Sequence, residues 1–259
     1  MSSVANMMAQ DKLTIYSVGA CPYAQRTRIL LKLKRLDAEV IELDLSKPRP
    51  PAFLELNPAG KVPVLIHASR PLNESSVINE YLDEVFPDPP AFPKDPYLKA
   101  QARILIDYCN TRFTTNHYRV LMEQDAGKRA RVEAAFRKDW EWLEAFFDRL
   151  GTAGDFAFGE FGMADLTYAP FLERAVLNSY FWGFDIPKEL GRVARWRDAI
   201  LDHPYVQATS LPAEDYLKIY ADYSLGYSNG AIPPGQERSS LDFSVPLDQR
   251  PLPPRRVTV

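Results

Sequence analysis

The chain has 259 residues, of which 46% are hydrophobic and 25% charged, a composition typical of a globular protein. A formal net charge of −3 argues against nucleic-acid binding, and the longest apolar runs are far shorter than the roughly 18–20 residues of a membrane span. Two cysteines exclude a disulfide scaffold, and three scattered histidines give no metal-ligand spacing. The first ten residues do not resemble a signal peptide, so we expect a cytoplasmic protein. From the charge, the apolar runs and the residue spacing above, we expect it to bind no nucleic acid, membrane or metal.

Strand and helix patterns alternate at the start of the chain, after an N-terminal extension of residues 1–12. Residues 13–17 are a β-rich run, a helix extends from residue 22 to about 35, and residues 39–45 alternate like a second strand. Strand, helix and strand in this order predict a right-handed βαβ unit with parallel strands. We expect the basic residues of the helix to form its solvent-exposed face: Arg26, Arg28, Lys32, Lys34 and Arg35.

Two more strands and a closing helix complete this segment. Residues 62–67 (VPVLIH) predict a third strand, in which a proline is tolerable if Pro63 lies at the start after a cis peptide bond. Residues 71–72 start a short fourth strand, and Ser75 or Ser76 is expected to cap a helix that ends at Phe86. Residues 13–86 are therefore interpreted as β-α-β-α-β-β-α.

A proline-rich stretch divides the chain. Residues 87–96 (PDPPAFPKDP) contain five prolines and predict a linker. Beyond it, helices are expected near 96–124, 128–150, 163–180, 188–203 and 213–223, which makes residues 97–225 an all-helical domain. Residues 226–259 are rich in glycine and proline and predict an irregular tail, part of which packs back onto the body through Phe243, Val245, Leu247 and Leu252.

Cys21 is the residue best placed for chemistry. It follows the first strand and precedes Pro22, which suits the first position of a helix. Unpaired N–H groups and the helix dipole favour an anion there, so we expect a Cys21 thiolate with a pKa below the roughly 8.5 of a free cysteine. C-P-Y-A holds no second cysteine, so a small molecule such as glutathione must supply the resolving thiol. The alternative is a small buried hydrophobe, which is the role expected of Cys109.

Three further features suit an anionic peptide beside Cys21. The backbone at Val62 and Pro63 could pair with an extended peptide, as in strand addition. Glu74 and Ser75, at the start of a helix, could bind an α-ammonium and an α-carboxylate. A cationic side chain in the preceding loop, Arg49 or Lys47, could hold a further carboxylate. Each feature is weak alone, and together they support one another.

These residues resemble a known family. The stretches GACPYAQRTRILLKLK, LNPAGKVPVL and NESSVINEYLDEVFP are similar to the omega class of glutathione transferases. The resemblance implies a glutathione transferase fold, with an α/β thioredoxin-like N-terminal domain, an all-α C-terminal domain and a homodimer. It also implies the nucleophile Cys21 and a glutathione site formed by Val62, cis-Pro63, Glu74, Ser75 and Tyr23, with either Arg49 or Lys47.

The second domain is similar to the omega-like glutathione lyases of bacterial lignin β-aryl-ether breakdown. The stretches that carry this resemblance include HYRVLM, FGEFGMADLTYAPFLER and YADYSLGYSNGAIPPG. It implies removal of glutathione from an aromatic ketone thioether through a mixed disulfide, with glutathione disulfide as a product. A general omega-type thioltransferase or dehydroascorbate reductase, and a non-enzymatic binding protein of this fold, are the alternatives.

An aromatic substrate would need a pocket between the domains. Tyr220, Tyr223 and Tyr227 are expected on one face of a helix, where they would stack on an aromatic ring and polarise a carbonyl oxygen. Further candidates for the lining are Phe113, Tyr118, Phe181, Trp182 and Asn229.

One departure from the family pattern concerns a helix start in the second domain. Transferases of this fold usually have a Ser/Thr-x-x-Asp capping box there, whereas this chain has Gly162 and Asp165. We expect the fold to survive with half of the box.

Overall fold

A mixed four-stranded sheet forms the first part of the fold in the computed structural model, which describes residues 12–257. The elements in chain order are β1 (Leu13–Ser17), α1 (Pro22–Leu33), β2 (Ala38–Glu42), α2 (Pro51–Leu56), β3 (Val64–His67), β4 (Arg70–Asn73) and α3 (Ser75–Val85). The strand order is β2-β1-β3-β4, in which β1 and β2 are parallel and the other pairs antiparallel. This arrangement confirms the predicted β-α-β-α-β-β-α order.

Helices make up most of the second part. They are α4 (Pro96–Tyr108), α5 (Thr114–Met122), α6 (Ala126–Leu150), α7 (Met163–Glu173), α8 (Ala175–Trp182), α9 (Gly191–Leu201), α10 (Pro204–Gln207) and α11 (Ala213–Ile219). The predicted helix 96–124 contains a π-helical turn at Cys109–Phe113, and the predicted helix 163–180 is divided at Arg174. None of the helices in residues 12–257 has the length and apolar character needed to cross a membrane.

The third strand starts slightly later than predicted, and the second strand ends earlier. β2 ends at Glu42 and β3 begins at Val64, directly after a cis peptide bond between Val62 and Pro63, which confirms that expectation. The prediction that a serine caps α3 was wrong. Glu74 occupies the cap position with φ +66°, and its side chain makes no capping hydrogen bond.

The predicted exposed face of α1 was largely wrong, because α1 packs on α7 of the helical part as well as on the first domain. Arg26 is only 1% exposed, and its guanidinium donates to the carbonyl of Thr167 at 2.9 Å. Lys34 is buried in an ion pair with Asp83. Of the five basic residues, Lys32 and Arg35 are exposed. A tertiary contact therefore turns a polar helix face into a buried interface.

The proline-rich stretch between the two parts is packed rather than free. Ala91 and Phe92 are buried in a hydrophobic cluster that contains residues of both parts. The amide of Ala91 donates to Asp83 at 2.8 Å, and Lys34 donates to the carbonyl of Pro89 at 2.6 Å. These contacts fix the path of the chain from the sheet to the helices.

Gly162 is required where the chain passes closest to this stretch. A Cβ atom at Gly162 would lie 2.5 Å from the carbonyl oxygen of Ala91, which already accepts a 2.7 Å hydrogen bond from the amide of Met163. The expected half of the capping box is present, because the Asp165 carboxylate accepts from the Gly162 amide at 2.9 Å. The same carboxylate accepts from the indole of Trp196 at 2.7 Å.

The tail packs back onto the body in part, as predicted. Tyr180 donates to the carbonyl of Pro253 at 2.8 Å, and Leu247 packs partly buried beside α11. Phe243 and Leu252 were expected to pack but are exposed, whereas Leu241 is buried. The predicted N-terminal extension lies almost entirely outside the described residues.

Candidate functional site

Cys21 occupies the N-cap position of α1, where the sequence placed it. Its backbone is extended (φ −76°, ψ 120°), Pro22 is the first helical residue, and the Cys21 amide donates to the Val18 carbonyl at 2.8 Å. The amides of Tyr23 and Ala24 point toward the sulfur and favour a thiolate there. The side chain is half-buried, so its sulfur lies at the wall of the site.

The expected low pKa of Cys21 is not found. Burial raises the pKa of the thiol above its ordinary value, because desolvation penalises the charged form. The amides of Ala24 and Tyr23 and the cations Arg174 and Arg28 lower the pKa without offsetting burial. A helix start was the correct signal for the position of the thiol, but desolvation depends on the second domain and cannot be read from the motif.

The turn that precedes Cys21 is held by two guanidinium groups. Arg28 donates to the carbonyls of Val18 at 3.1 Å and Gly19 at 2.9 Å. Arg174, which lies between α7 and α8, donates to the carbonyl of Ala20 at 2.8 Å. The three carbonyls before the cysteine therefore each accept from an arginine.

Of the residues expected to bind a peptide, Val62 contacts Cys21 directly, and the pairing of Val64 with Asn73 brings Glu74 to the same end of β3. The Cys21 sulfur is 3.9 Å from the carbonyl oxygen of Val62, next to cis-Pro63. Glu74 is exposed in a left-handed backbone conformation that is costly for a residue with a side chain, a strain often found at binding sites. Ser75 is buried beside it at the first position of α3.

The two cationic candidates differ in how they are used. Arg49 donates to the carbonyls of Gly60, Asp44 and Lys47 at 3.1–3.2 Å, so its guanidinium stabilises the loop. Lys47 is exposed and pairs with the Asp44 carboxylate at 2.9 Å, a contact that a ligand carboxylate could replace at little cost. This geometry favours Lys47 as the residue that can reach a carboxylate.

Tyrosines line the other side of the site. The ring of Tyr118 lies 6.3 Å from that of Tyr220 and 6.0 Å from that of Tyr223. Burial raises the pKa of Tyr223 to about 12, and Cys21 is close enough to contribute to that shift. The hydroxyl of Tyr223 is hydrogen-bonded to Asn229 at 3.2–3.4 Å. Tyr223 is therefore protonated at neutral pH and can donate a hydrogen bond near the thiol.

The predicted helix face of three tyrosines is wrong in its local structure, because α11 ends at Ile219 and Tyr220 occupies its C-cap. Tyr223 starts a separate 3-10 turn. Tyr227 lies beyond that turn and lines a cleft of about 630 Å³ together with Tyr118 and Arg119. The tyrosines thus come together through the fold rather than through helical spacing.

Three of the other aromatic candidates are structural. Phe113 has no exposed surface and packs edge-on against Trp140 at 4.7 Å, so its assignment to the substrate pocket was wrong. Phe181 is also fully buried, and the indole of Trp182 donates to the Leu121 carbonyl at 2.8 Å. Tyr23 turns toward the helical part, where its ring meets Phe171 at 5.6 Å.

Sequence reasoning missed the polar network behind Cys21. Arg174 is fully buried and donates to the Gln25 side chain at 2.9 Å and to the Tyr220 hydroxyl at 3.1 Å. The Glu173 carboxylate accepts from Gln25 at 2.6 Å. The available signal was a Glu-Arg pair at the end of the apolar run MADLTYAPFL, where charged residues need a buried partner.

A thioredoxin-like sheet, a cis-proline beside a cysteine at a helix start, and a helical second domain together define the fold of glutathione transferases. The family model of the glutathione S-transferase N-terminal domain matches residues 20–85, and that of the C-terminal domain matches residues 126–199. The chain belongs to the glutathione S-transferase family.

Its relatives include omega-class proteins. A probable glutathione transferase omega-2 of Caenorhabditis elegans is 30% identical over 239 residues, which cover 85% of this chain and 89% of the relative. Glutathione transferase Omega 3C of Trametes versicolor superimposes with a TM-score of 0.73 at 25% identity, covering 86% of this chain and 94% of that structure. A rice transferase (OsGSTU1) solved in complex with glutathione gives a TM-score of 0.75 at 26% identity, covering 85% and 99%.

Proposed function

We propose that this protein is a cysteine-type, omega-like glutathione transferase that removes glutathione from an aromatic β-ketone thioether. The observation that carries the proposal is the position of the Cys21 sulfur, between the Val62 carbonyl on one side and tyrosines on the other. Glutathione would bind along Val62 and cis-Pro63, with its γ-glutamyl end at Glu74 and Ser75 and a carboxylate at Lys47. The aromatic part would stack on the partly exposed Tyr118, Tyr223 and Tyr227. Tyr220 was also a candidate, but it is only 4% exposed and its hydroxyl is bonded to Arg174.

In the first half-reaction the Cys21 thiolate attacks the glutathionyl sulfur of the thioether. A sulfur–sulfur bond forms, the carbon–sulfur bond breaks, and its electron pair passes to the ketone as an enolate. Protonation of the enolate carbon releases the ketone, which is reduced by two electrons. The Cys21–glutathione mixed disulfide remains on the protein.

In the second half-reaction a free glutathione thiolate attacks the glutathionyl sulfur of this disulfide. Glutathione disulfide leaves and the Cys21 thiolate is restored. The thioether sulfur and the sulfur of one free glutathione thus end in the disulfide for each ketone reduced by two electrons, and the electrons balance. The protonated hydroxyl of Tyr223 supports the first half-reaction, because it can hydrogen-bond to the developing enolate oxygen.

The second candidate is a general thioltransferase or dehydroascorbate reductase that uses the same cysteine. It is favoured by the omega names of the relatives from Caenorhabditis elegans and Trametes versicolor. A thioltransferase would differ from the proposed enzyme in the first half-reaction only, because its mixed disulfide substrate supplies a sulfur leaving group and needs no enolate. A glutathione-binding protein without turnover is the third possibility.

Mass spectrometry of the intact protein separates the three. The protein is incubated with a phenacyl-glutathione thioether and no free glutathione. We expect Cys21 to gain one glutathionyl group while one ketone is released. An adduct from glutathione disulfide alone would indicate the general thioltransferase, and no adduct from either compound would indicate a binding protein.

Two variants test whether the Cys21 sulfur is the nucleophile. Cys21→Ser should abolish both the adduct and turnover, because a serine hydroxyl cannot form the disulfide. Cys109→Ala is the matched control, since Cys109 is fully buried and its thiol pKa is raised to about 11 by burial. Full turnover in Cys21→Ser would refute the mechanism.

We further propose a homodimer in a reducing, cytoplasmic compartment where glutathione is abundant. Support for the dimer comes from apolar side chains exposed on the adjacent helices α3 and α4: Val77, Tyr97 and Ile104. An ion pair at 2.6 Å between Arg103 and Glu80 joins these two helices. Sedimentation equilibrium tests this surface, since Val77→Asp should shift a dimer toward the monomer and a wild-type monomer would refute it.

A further inference from the structure

We propose that Arg174 is a positioning residue for the nucleophile: it fixes the Ala20 carbonyl at the turn before Cys21 and places a positive charge behind the thiol. Arg28 does the same from the other side of the turn. The inference rests on the proposed function only in taking Cys21 as the reacting group. It adds that a residue of the helical domain prepares the thiol of the first domain.

The bonds of Arg174 cross between the two domains. Its guanidinium donates to the carbonyl of Ala20 at 2.8 Å and to the side chain of Gln25 at 2.9 Å, both in the first domain. Tyr220, whose hydroxyl accepts from Arg174 at 3.1 Å, itself donates to the Ala20 carbonyl at 3.3 Å. Two side chains of the helical domain therefore hold one carbonyl next to the cysteine.

The charge of Arg174 is only partly compensated. It is fully buried, and the Glu173 carboxylate lies 3.8 Å from it, beyond hydrogen-bond distance. That carboxylate accepts instead from Gln25 at 2.6 Å and Tyr216 at 3.1 Å, and also from Ser210. Because the Glu173 carboxylate accepts its hydrogen bonds from other groups, it offsets the buried charge of Arg174 only in part, and a nearby thiolate gains from that charge.

The groups that face the thiol come from every element around the turn. From α1 there are Arg28 and Tyr23, and from the second domain Arg174 and Tyr223, each of which interacts electrostatically with Cys21. Glu42 of β2 accepts from the Gly19 amide at 3.0 Å and interacts with Arg28. Glu42 thus lies next to Arg28, and Glu173 lies next to Arg174. Both arginines donate hydrogen bonds to the carbonyls of the turn.

The test measures the Cys21 thiol directly. The rate of alkylation by iodoacetamide is followed by mass spectrometry at Cys21 between pH 6 and pH 11, which gives the thiol pKa without turnover. An opposite charge near an ionisable group shifts its pKa by about 1–3 units, so we expect R174M to raise the thiol pKa by about one unit. The alkylation rate at neutral pH should then fall about 10-fold, and R174K should recover part of it.

Arg26 provides the matched control. Its guanidinium is also buried at the α1–α7 interface and donates to the Thr167 carbonyl at 2.9 Å and to Asn110 at 2.8 Å. R26M should lower the melting temperature as R174M does, but it should leave the thiol pKa unchanged. If lost stability alone were the cause, R26M and R174M would therefore raise the thiol pKa equally. If the cause is the lost charge behind the thiol, only R174M raises the thiol pKa.

A second variant covers the case in which R174M does not fold. Arg28 is only partly buried, and R28Q keeps a hydrogen-bond donor while removing the charge. It should also raise the thiol pKa. A wild-type thiol pKa in folded R174M, or in R28Q if R174M is unfolded, would overturn the proposal, as would an equal shift in R26M. Because alkylation needs no turnover, these outcomes are independent of whether the thioether is the substrate.

Discussion

Replacing Gly162 by serine should destabilise the protein, although serine or threonine is expected at the start of this helix in transferases of this fold. From capping alone, serine is a better N-cap than glycine by a few tenths of a kcal/mol. The structure predicts the opposite sign, because the new Cβ would lie 2.5 Å from the carbonyl oxygen of Ala91. That oxygen belongs to the backbone and is held on both sides, by the bonds from Met163 to Ala91 and from Ala91 to Asp83.

The size of the effect follows from what must move. Overpacking at a tight position costs about 1–3 kcal/mol, and weakening the hydrogen bond from Met163 to Ala91 adds about 1 kcal/mol. After subtracting the capping gain, we expect a loss of about 2–4 kcal/mol. Urea unfolding followed by tryptophan fluorescence measures it, and Gly162→Ala should lose at least as much because it clashes without capping.

Gly191 offers the control. It also stands at a helix start, but a Cβ there would meet only the end of Arg195, at 3.8 Å. Gly191→Ser should change the stability by less than about 0.5 kcal/mol. If Gly162→Ser were as stable as the wild type, the close approach of Ala91 would not be the reason for glycine at this position.

Two further predictions concern titratable groups. Burial lowers the pKa of His117 to about 3, so the unfolded chain binds more protons below the unfolded pKa of about 6.5 and stability falls with acid. Between pH 6.5 and pH 5 this loss should reach about 2 kcal/mol in urea unfolding, and His117→Gln should flatten that slope; an unchanged slope would contradict the assignment. Tyr223→Phe should slow ketone release about 100-fold while leaving attack on glutathione disulfide unaffected, as stopped-flow and mass spectrometry can measure. Equal slowing of both would refute a role at the enolate.

The sequence was sufficient for features that depend on local chemistry. A strand, a cysteine and a proline at a helix start placed Cys21, and a proline at the start of a strand predicted the cis bond before Pro63. Glycine and aspartate three residues apart predicted the half capping box, which the Asp165 carboxylate forms. Each of these signals acts within a few residues.

Features that depend on the packing of the two domains could not be read in this way. The periodicity of α1 put Arg26 and Arg28 on an exposed face, yet α7 covers Arg26, and Arg28 donates to the carbonyls of Val18 and Gly19. Burial raises the pKa of Cys21, against the direction that the helix dipole suggests. An aromatic side chain such as Phe113 suits a pocket and a core equally well. Only its burial against Trp140 shows that it belongs to the core.

The packed proline-rich segment affects how this protein could be recombined with its relatives. Ala91 joins α3, through Asp83, to the first residue of α7, so the segment is held at both ends. A chimera that exchanges the helical half at residue 90 would separate Ala91 from Asp83 and Arg174 from the turn it holds. A crossover that preserves folding must therefore transfer residues 83–92 and α7 as one block, although 70 residues of sequence lie between them.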